Sequence, residues 1–164
     1  MGRLVATLAI VACVCTSNAI ADFDGAYAPA NWSFYTDSTG TGTLDALQMY
    51  VLGIDSGRPG YTEYYITVGE TATVTFDWEF LTSDPTGNEF AFYAVNLSET
   101  TFANADGQSG TIALNLSVGD ILELGVHTTN GTNGPGELTI SNFVFPEPSS
   151  LALLAAGALF WRRR

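Results

Sequence analysis

One ten-residue segment, TATVTFDWEF at residues 71–80, constrains the fold of this chain more than any other. Its apolar side chains occupy alternate positions, at Ala72, Val74, Phe76, Trp78 and Phe80, and threonine, aspartate or glutamate stands between them. Successive side chains of a β-strand point to opposite faces, whereas apolar positions on a helix recur about every three to four residues. The segment therefore predicts a strand with one face in a core and the other in water.

The same alternation recurs along the rest of the chain. Strands are predicted at residues 31–36, 47–54, 61–68, 71–80, 89–96, 111–117, 121–127 and 137–145. The stretches between them are rich in glycine, asparagine, aspartate and serine, which favour turns. About eight short strands without a convincing helix predict an all-β domain, a single antiparallel β-sandwich of jelly-roll type.

The first twenty-one residues predict a secretory signal peptide. Arg3 precedes an apolar stretch at residues 4–14, and Ala19 and Ala21 have the spacing that a signal peptidase recognises. Cleavage after Ala21 removes both cysteines, so the exported domain has neither a disulfide nor a thiol. In an alternative interpretation Cys13 carries a lipid, as in a lipoprotein, which would leave a shorter apolar stretch before it.

The last nineteen residues combine an apolar stretch with a basic end. The tripeptide Pro146-Glu147-Pro148 precedes apolar residues 151–161, and Arg162, Arg163 and Arg164 follow. A stable membrane helix needs about twenty apolar residues, so this stretch is short for a lasting anchor. Arginines keep the adjacent end in the cytoplasm, which places the upstream chain outside. The alternative is a buried terminal helix of the domain, which the prolines and arginines disfavour.

This order of tripeptide, apolar stretch and arginines resembles the PEP-CTERM sorting signal of Gram-negative bacteria that make extracellular polysaccharide. The resemblance implies a transient stop in the inner membrane and recognition of Pro-Glu-Pro by the membrane protease called exosortase. Removal of the tail and release to the cell surface or matrix would follow. Residues 23–32, 57–67, 74–84 and 139–143 also resemble a domain that recurs in PEP-CTERM proteins. This second resemblance implies a fold and a cellular context, and it brings no established activity.

The sequence thus predicts three parts: a signal peptide at residues 1–21, a β-sandwich domain at 22–145 and a sorting signal at 146–164. The middle part has sixteen acidic residues against Arg58 alone, a net charge of −15 without any lysine. A surface with this charge repels nucleic acid and anionic membranes and keeps an exported protein soluble.

Few residues offer catalytic or metal chemistry. His127 is the only histidine and continues the polar face of its strand, so a histidine-based metal site is excluded. Asp77 and Glu79 lie about 7 Å apart on a polar strand face, a separation that glycosidases use, although any Asp-x-Glu strand has it. No cofactor is expected; a structural Ca²⁺ is an open option, with oxygen ligands from Asp37, Asp55, Asp84 and Asp106.

The candidate glycan-binding residues are Tyr61, Glu63 and Tyr65. Alternation places all three on one face of their strand. There the two tyrosine rings can stack on a sugar, and the carboxylate can accept hydrogen bonds from its hydroxyls. Packing between aromatic side chains of neighbouring strands explains the tyrosines without a ligand. Trp32 and Trp78 are expected in the core.

Two functions from different classes remain open. In the first, the chain is a non-catalytic cell-surface or extracellular-matrix protein, which binds polysaccharide or has a structural role in the envelope or a biofilm. The alternative is a small secreted hydrolase acting on a glycan. The expected partners are signal peptidase, exosortase, extracellular polysaccharide and, transiently, the inner membrane. Ice binding by the Thr-x-Thr rows at residues 39–43 and 71–75 lacks the stacking repeat that a flat ice-binding face uses.

Overall fold

The computed structural model describes residues 23–145, which form ten strands and two single-turn 3₁₀ helices. The strands are β1 (Ser33–Thr36), β2 (Thr41–Leu44), β3 (Gln48–Leu52), β4 (Gly60–Thr67), β5 (Ala72–Leu81), β6 (Glu89–Val95), β7 (Ser98–Ala103), β8 (Gln108–Leu116), β9 (Ile121–Thr128) and β10 (Glu137–Val144). Within residues 23–145 no helix is long and apolar enough to cross a membrane. The predicted signal peptide and sorting tail lie outside the described residues.

The strands form two antiparallel sheets that pack face to face. The first has the order β1-β4-β9-β6-β7 and the second the order β2-β3-β10-β5-β8. Phe76 and Phe80 of β5, which the alternation places inward, are fully buried between the sheets. The prediction of an all-β antiparallel sandwich is therefore confirmed.

The prediction of about eight strands is wrong, because β2 and β7 add two more. Both are edge strands, each with a neighbour on one side only. The residues of β2 belong to a glycine- and threonine-rich stretch that resembles a turn, and the first four residues of β7 are exposed. An edge strand buries little of its surface, so its sequence need not show an apolar alternation.

A two-residue turn joins β6 to β7. Val95 is opposite Ser98, and the two residues between them, Asn96 and Leu97, have φ angles of 53° and 67°. Tight hairpin turns of this kind favour Asn-Gly, since positive φ suits glycine and, next best, asparagine. Because the second turn position is Leu97 and not glycine, the turn residues in the sequence do not predict this hairpin.

One end of the core is closed by an aromatic cluster. The ring of Phe143 on β10 lies 4.7 Å from that of Phe23 and 5.9 Å from that of Phe76, measured between centroids. Trp32 is buried and donates its indole N–H to the carbonyl of Tyr27, 2.9 Å away. Trp78 is partly buried against the ring of Phe102, at 4.8 Å. Trp32 thus belongs to the core, as expected, whereas Trp78 is only partly buried and packs against the core.

Candidate ligand-binding groove

The outer face of the first sheet carries the candidate glycan-binding residues. On β4, Tyr61, Glu63 and Tyr65 point to that face, while Tyr64 and Ile66 are buried in the core. The three candidates therefore share one face, as alternation predicts. Strands on either side of β4 supply the neighbours of these side chains.

Strand pairing decides which side chains meet on this face. Tyr35 on β1 is opposite Glu63 on β4. Ala94 on β6 is opposite both Glu123 of β9 and Glu99 of β7. Residues that are far apart in the sequence are therefore brought to one place.

These residues line an open groove with a volume of about 430 Å³. Its lining consists of Tyr35, Asp37, Tyr61, Glu63, Ala94, Leu97, Glu99 and Glu123. Half of these residues are acidic, and none is lysine or arginine. Tyr65 instead lines a neighbouring depression with Asn31 and Ser33. The structure thus brings Tyr61 and Glu63 together and leaves Tyr65 outside their groove.

Tyr61 is held in place by contacts with two other rings. It stacks on His127 with ring centroids 4.2 Å apart, and it meets Phe92 edge-on at 5.6 Å. Its hydroxyl donates to Glu99 at 3.2 Å. Burial, followed by the charge of Glu99, raises the pKa of the Tyr61 hydroxyl. Tyr61 is therefore a rigid part of the groove, with one ring face already covered by His127.

Tyr35 offers the more accessible ring. Its side chain is 46 % exposed, and its hydroxyl donates to Oδ1 of Asp37. The other carboxylate oxygen of Asp37 accepts the backbone N–H of Tyr61 at 2.9 Å. The two hydrogen bonds, that from Tyr35 first, lower the pKa of Asp37. Asp37 is therefore an ionised residue that fixes the position of an exposed tyrosine ring.

Glu63 is partly buried at the centre of the groove. Burial, and then repulsion by Glu123, Asp37 and Glu99, raises its pKa to about 7. Burial and the charge of Glu99 also raise the pKa of Glu123. Within residues 23–145 no side chain or backbone N–H donates a hydrogen bond to the carboxylate of Glu63. A carboxylate in this position is poised to accept a hydrogen bond from a ligand.

Four polar residues of the groove were not among the glycan-binding candidates: Tyr35, Asp37, Glu99 and Glu123. Of these, Asp37 was considered only as a Ca²⁺ ligand. The alternation of β1 and β9 does place Tyr35 and Glu123 on an outward face. Glu99 lies on an unpredicted edge strand. The sequence does not show which strands are neighbours, so alternation alone does not predict which residues line the groove together.

Residues 146–164 match the family model described as the PEP-CTERM protein-sorting motif. The chain carries a PEP-CTERM sorting motif. The motif implies export and a transient stop in the membrane before cleavage. The predicted sorting residues Pro146, Glu147, Pro148, Arg162, Arg163 and Arg164 and the predicted cleavage residues Ala19 and Ala21 lie outside the described residues. No curated protein sequence matches the chain significantly.

The β-sandwich of this chain is similar to several solved structures. A carbohydrate-binding module from the β-sandwich superfamily has a TM-score of 0.47 and 13 % identity, with 79 % of this chain and 62 % of that chain covered. The secreted serine protease VesC from Vibrio cholerae has a TM-score of 0.48 and 9 % identity, with 71 % and 25 % covered. TmCBM61, solved with β-1,4-galactotriose, has a TM-score of 0.43 and 13 % identity, with 74 % and 91 % covered. The chain spans less than two thirds of the first two, and the similarity carries no functional assignment.

Asp77 and Glu79, the sequence candidates for a hydrolase, lie on the outer face of the second sheet, away from the groove. Asp77 accepts hydrogen bonds from the hydroxyl of Thr111 and, at 2.8 Å, from the amide of Asn142. Those bonds, with Thr111 first, lower the pKa of Asp77. Asn142 reaches Asp77 from a bulge in β10, where its φ is 50°. Asp77 thus stabilises the bulge and is poorly suited to act as an acid.

The four loop aspartates considered for Ca²⁺ do not gather at one point. Within residues 23–145 no group of three or more histidine, cysteine, aspartate or glutamate side chains is arranged to hold a metal ion. Asp37 is engaged in the groove, and Asp106 accepts the backbone N–H of Thr82 at 3.0 Å. Asp84 is buried, and its Oδ1 accepts from Asn133 at 2.6 Å. Asp37, Asp84 and Asp106 therefore serve as hydrogen-bond acceptors within the domain.

Proposed function

We propose that residues 22–145 form a non-catalytic polysaccharide-binding domain of an exported protein that an exosortase sorts to the cell surface or matrix. The observation that carries the binding function is the groove on the first sheet, which combines the exposed ring of Tyr35 with the carboxylates of Glu63 and Glu123. An aromatic ring stacks on the apolar face of a sugar, and carboxylates accept hydrogen bonds from its hydroxyls.

The open shape of the groove favours a chain over a small molecule. Pockets for small molecules enclose most of the ligand surface, whereas this groove is a shallow trough on a sheet. Tyr65, 40 % exposed, lies beyond Glu63 on the same strand, about 13 Å from Tyr61. A polysaccharide lying along β4 would contact the groove and Tyr65 together.

We also infer that the sandwich is a jelly roll with two added edge strands. Strands β3 to β10 contribute the orders β3-β10-β5-β8 and β4-β9-β6-β7, which are two interlocked Greek keys. Strands β1 and β2 extend one edge of each sheet. The addition of β1 is what brings Tyr35 and Asp37 to the groove.

One observation favours the hydrolase alternative. Glu63 has a pKa near neutrality beside other carboxylates, and glycosidases pair a carboxylic acid with a carboxylate in this way. Glu63 would act as the acid, with Glu123 as the second carboxylate of the pair. Prolonged incubation of the full-length protein with extracellular glycans tests this function. Cleavage products that the wild type forms and Glu63→Gln does not would support a hydrolase. A glycan that binds and stays intact would support a non-catalytic domain.

The binding function is tested by removing the exposed ring. Tyr35→Ala is expected to weaken oligosaccharide binding about ten-fold, since stacking on an aromatic side chain contributes about 1–2 kcal/mol. Tyr50→Ala, on the outer face of the second sheet, is the matched control and should bind as the wild type does. Equal oligosaccharide binding by the wild type, Tyr35→Ala and Tyr50→Ala would show that the groove is not the binding site.

A further inference from the structure

Two of the four carboxylates in the groove accept no hydrogen bond from the described part of the domain itself. Asp37 has both carboxylate oxygens engaged, by Tyr35 and by the backbone of Tyr61. Glu99 accepts the hydroxyl of Tyr61 and lies 3.4 Å from Nδ1 of His127. Glu63 and Glu123 accept no hydrogen bond from any group of residues 23–145. Two carboxylates are thus available to a ligand.

These two carboxylates repel each other. Glu63 and Glu123 lie on neighbouring strands, two positions out of register, because Glu123 is opposite Tyr65. Their mutual repulsion contributes to the raised pKa of Glu63. A partly buried carboxylate without a donor is unfavourable, and a bound cation that donates hydrogen bonds relieves that cost.

We propose that the groove selects a polysaccharide bearing free, protonated amino groups, such as a glucosamine polymer, over neutral and anionic polysaccharides. The inference rests on the proposed polysaccharide-binding function and adds the chemical class of the ligand. An ammonium group carries three N–H donors and one positive charge, which matches the unengaged oxygens of Glu63 and Glu123. The exposed ring of Tyr35 provides the platform for the sugar itself.

Charge on the rest of the domain favours the same ligand. No lysine or arginine lines the groove, and Arg58 is the only one within residues 22–145. An anionic polysaccharide would meet repulsion at every carboxylate without any compensating partner. A cationic one would be attracted over a long range, and more strongly at low ionic strength.

Two oligosaccharides that differ in one group test the proposal. A hexamer of β-1,4-linked glucosamine and the same hexamer with every amine acetylated are titrated into the full-length protein in mild detergent at pH 7, because the raised pKa of Glu63 would leave its carboxyl group protonated in acid. We expect the free amine to bind about ten-fold more tightly, as a charge-assisted hydrogen bond does relative to a neutral one. Glu63→Gln and Glu123→Gln should each remove most of this preference. Polygalacturonate should not bind.

The control variant is Glu79→Gln, which removes the same charge from the exposed outer face of the second sheet. If it reduces the preference as much as Glu63→Gln does, the attraction is a property of total charge and the proposal is wrong. Tight binding of a basic peptide of equal charge would also overturn it, because the groove would then not select sugars. Equal binding of both hexamers overturns the amine preference and leaves the polysaccharide function standing. Failure of both hexamers and of other neutral glycans overturns the binding function itself.

Discussion

Glu63 lies directly opposite Gly125 on the neighbouring strand, and only a glycine leaves room for it there. A Cβ atom at position 125 would stand 2.7 Å from Cβ of Glu63 and still closer to the carbonyl oxygen of Thr62. The absent side chain of Gly125 therefore allows β4 and β9 to pair while Glu63 lies at the centre of the groove. The most perturbed carboxylate of the groove depends on a residue without a side chain.

We expect Gly125→Ala to destabilise the fold by about 1–3 kcal/mol, because the new methyl group is forced against a backbone carbonyl. Chemical denaturation measures the change in the free energy of unfolding. Gly69→Ala is the matched control, since a Cβ atom there meets nothing within 4 Å. Equal effects of the two substitutions would contradict the steric explanation.

The stability of the domain should fall as the pH rises from about 4.5 to about 7. The pKa of Glu63 is higher in the folded state than in the unfolded chain, so the folded state binds more protons in this window and loses stability as they leave. Glu63→Gln should reduce this loss and stabilise the protein at pH values above the window by roughly 1 kcal/mol, after allowance for solvent screening. Thermal melts across the pH range measure it.

The groups that face Glu63 bear on this pH dependence. Asp37 follows β1, Glu123 lies on β9 and Glu99 on β7. Glu123 also has a raised pKa and adds to the loss of stability, while Asp37 has a lowered one and is ionised across the window. Glu79→Gln serves as the control for a change in total charge. An unchanged pH slope in Glu63→Gln would contradict the assignment.

Replacement of Leu97 by glycine should stabilise the hairpin between β6 and β7. A non-glycine residue at positive φ costs about 1–2 kcal/mol, and the extra freedom of glycine in the unfolded chain offsets about 0.5–1 kcal/mol of that. The expected net gain is up to about 1 kcal/mol, with Leu97→Asn intermediate. Because Leu97 also lines the groove, binding of the glucosamine hexamer should be compared in the same variants. A loss of stability in Leu97→Gly would show that the exposed leucine makes a contact that outweighs the strain.

Glu89→Gln should stabilise the protein at high pH and have little effect at low pH. Glu89 is 1 % exposed, its Oε2 accepts the hydroxyl of Thr82, and its Oε1 has no partner within residues 23–145. Burial raises its pKa, so the ionised form destabilises the fold and the glutamine removes that cost. The difference in melting temperature between variant and wild type, followed against pH, measures the effect. The opposite sign at high pH would indicate that the charge is needed, as it is in a cation ligand.

Sorting makes a prediction that is independent of the groove. If the exosortase removes the tail, the extracellular protein should lack residues 151–164. If signal peptidase cleaves after Ala21, the same protein should begin at Asp22. Replacement of Pro146, Glu147 and Pro148 by alanine should leave the protein in the membrane fraction with its tail intact. Intact-mass spectrometry of both fractions distinguishes the forms. A surface form that retains the terminal arginines would contradict processing.

Much of the fold follows from local pattern. Alternation in β5, β8 and β9 identified the strands and their buried faces, because the period of side-chain orientation belongs to the backbone itself. The same pattern placed Tyr61, Glu63 and Tyr65 on one face. Composition determined the charge of the domain. The sorting motif at residues 146–164 is recognised without any folded context, and residues 1–21 predict a signal peptide in the same way.

Only the tertiary structure decided which strands are neighbours. The groove requires Tyr35 beside Glu63 and Glu123 beside Ala94, pairs separated by 28 and 29 positions in the sequence. The groove also requires the edge strand β7, whose exposed residues show no apolar alternation. Tyr61 lines this groove, whereas Tyr65 lines a neighbouring depression. Alternation states the face of a residue, whereas its neighbours depend on pairing between distant segments, which is decided when the two sheets bury their inner faces together.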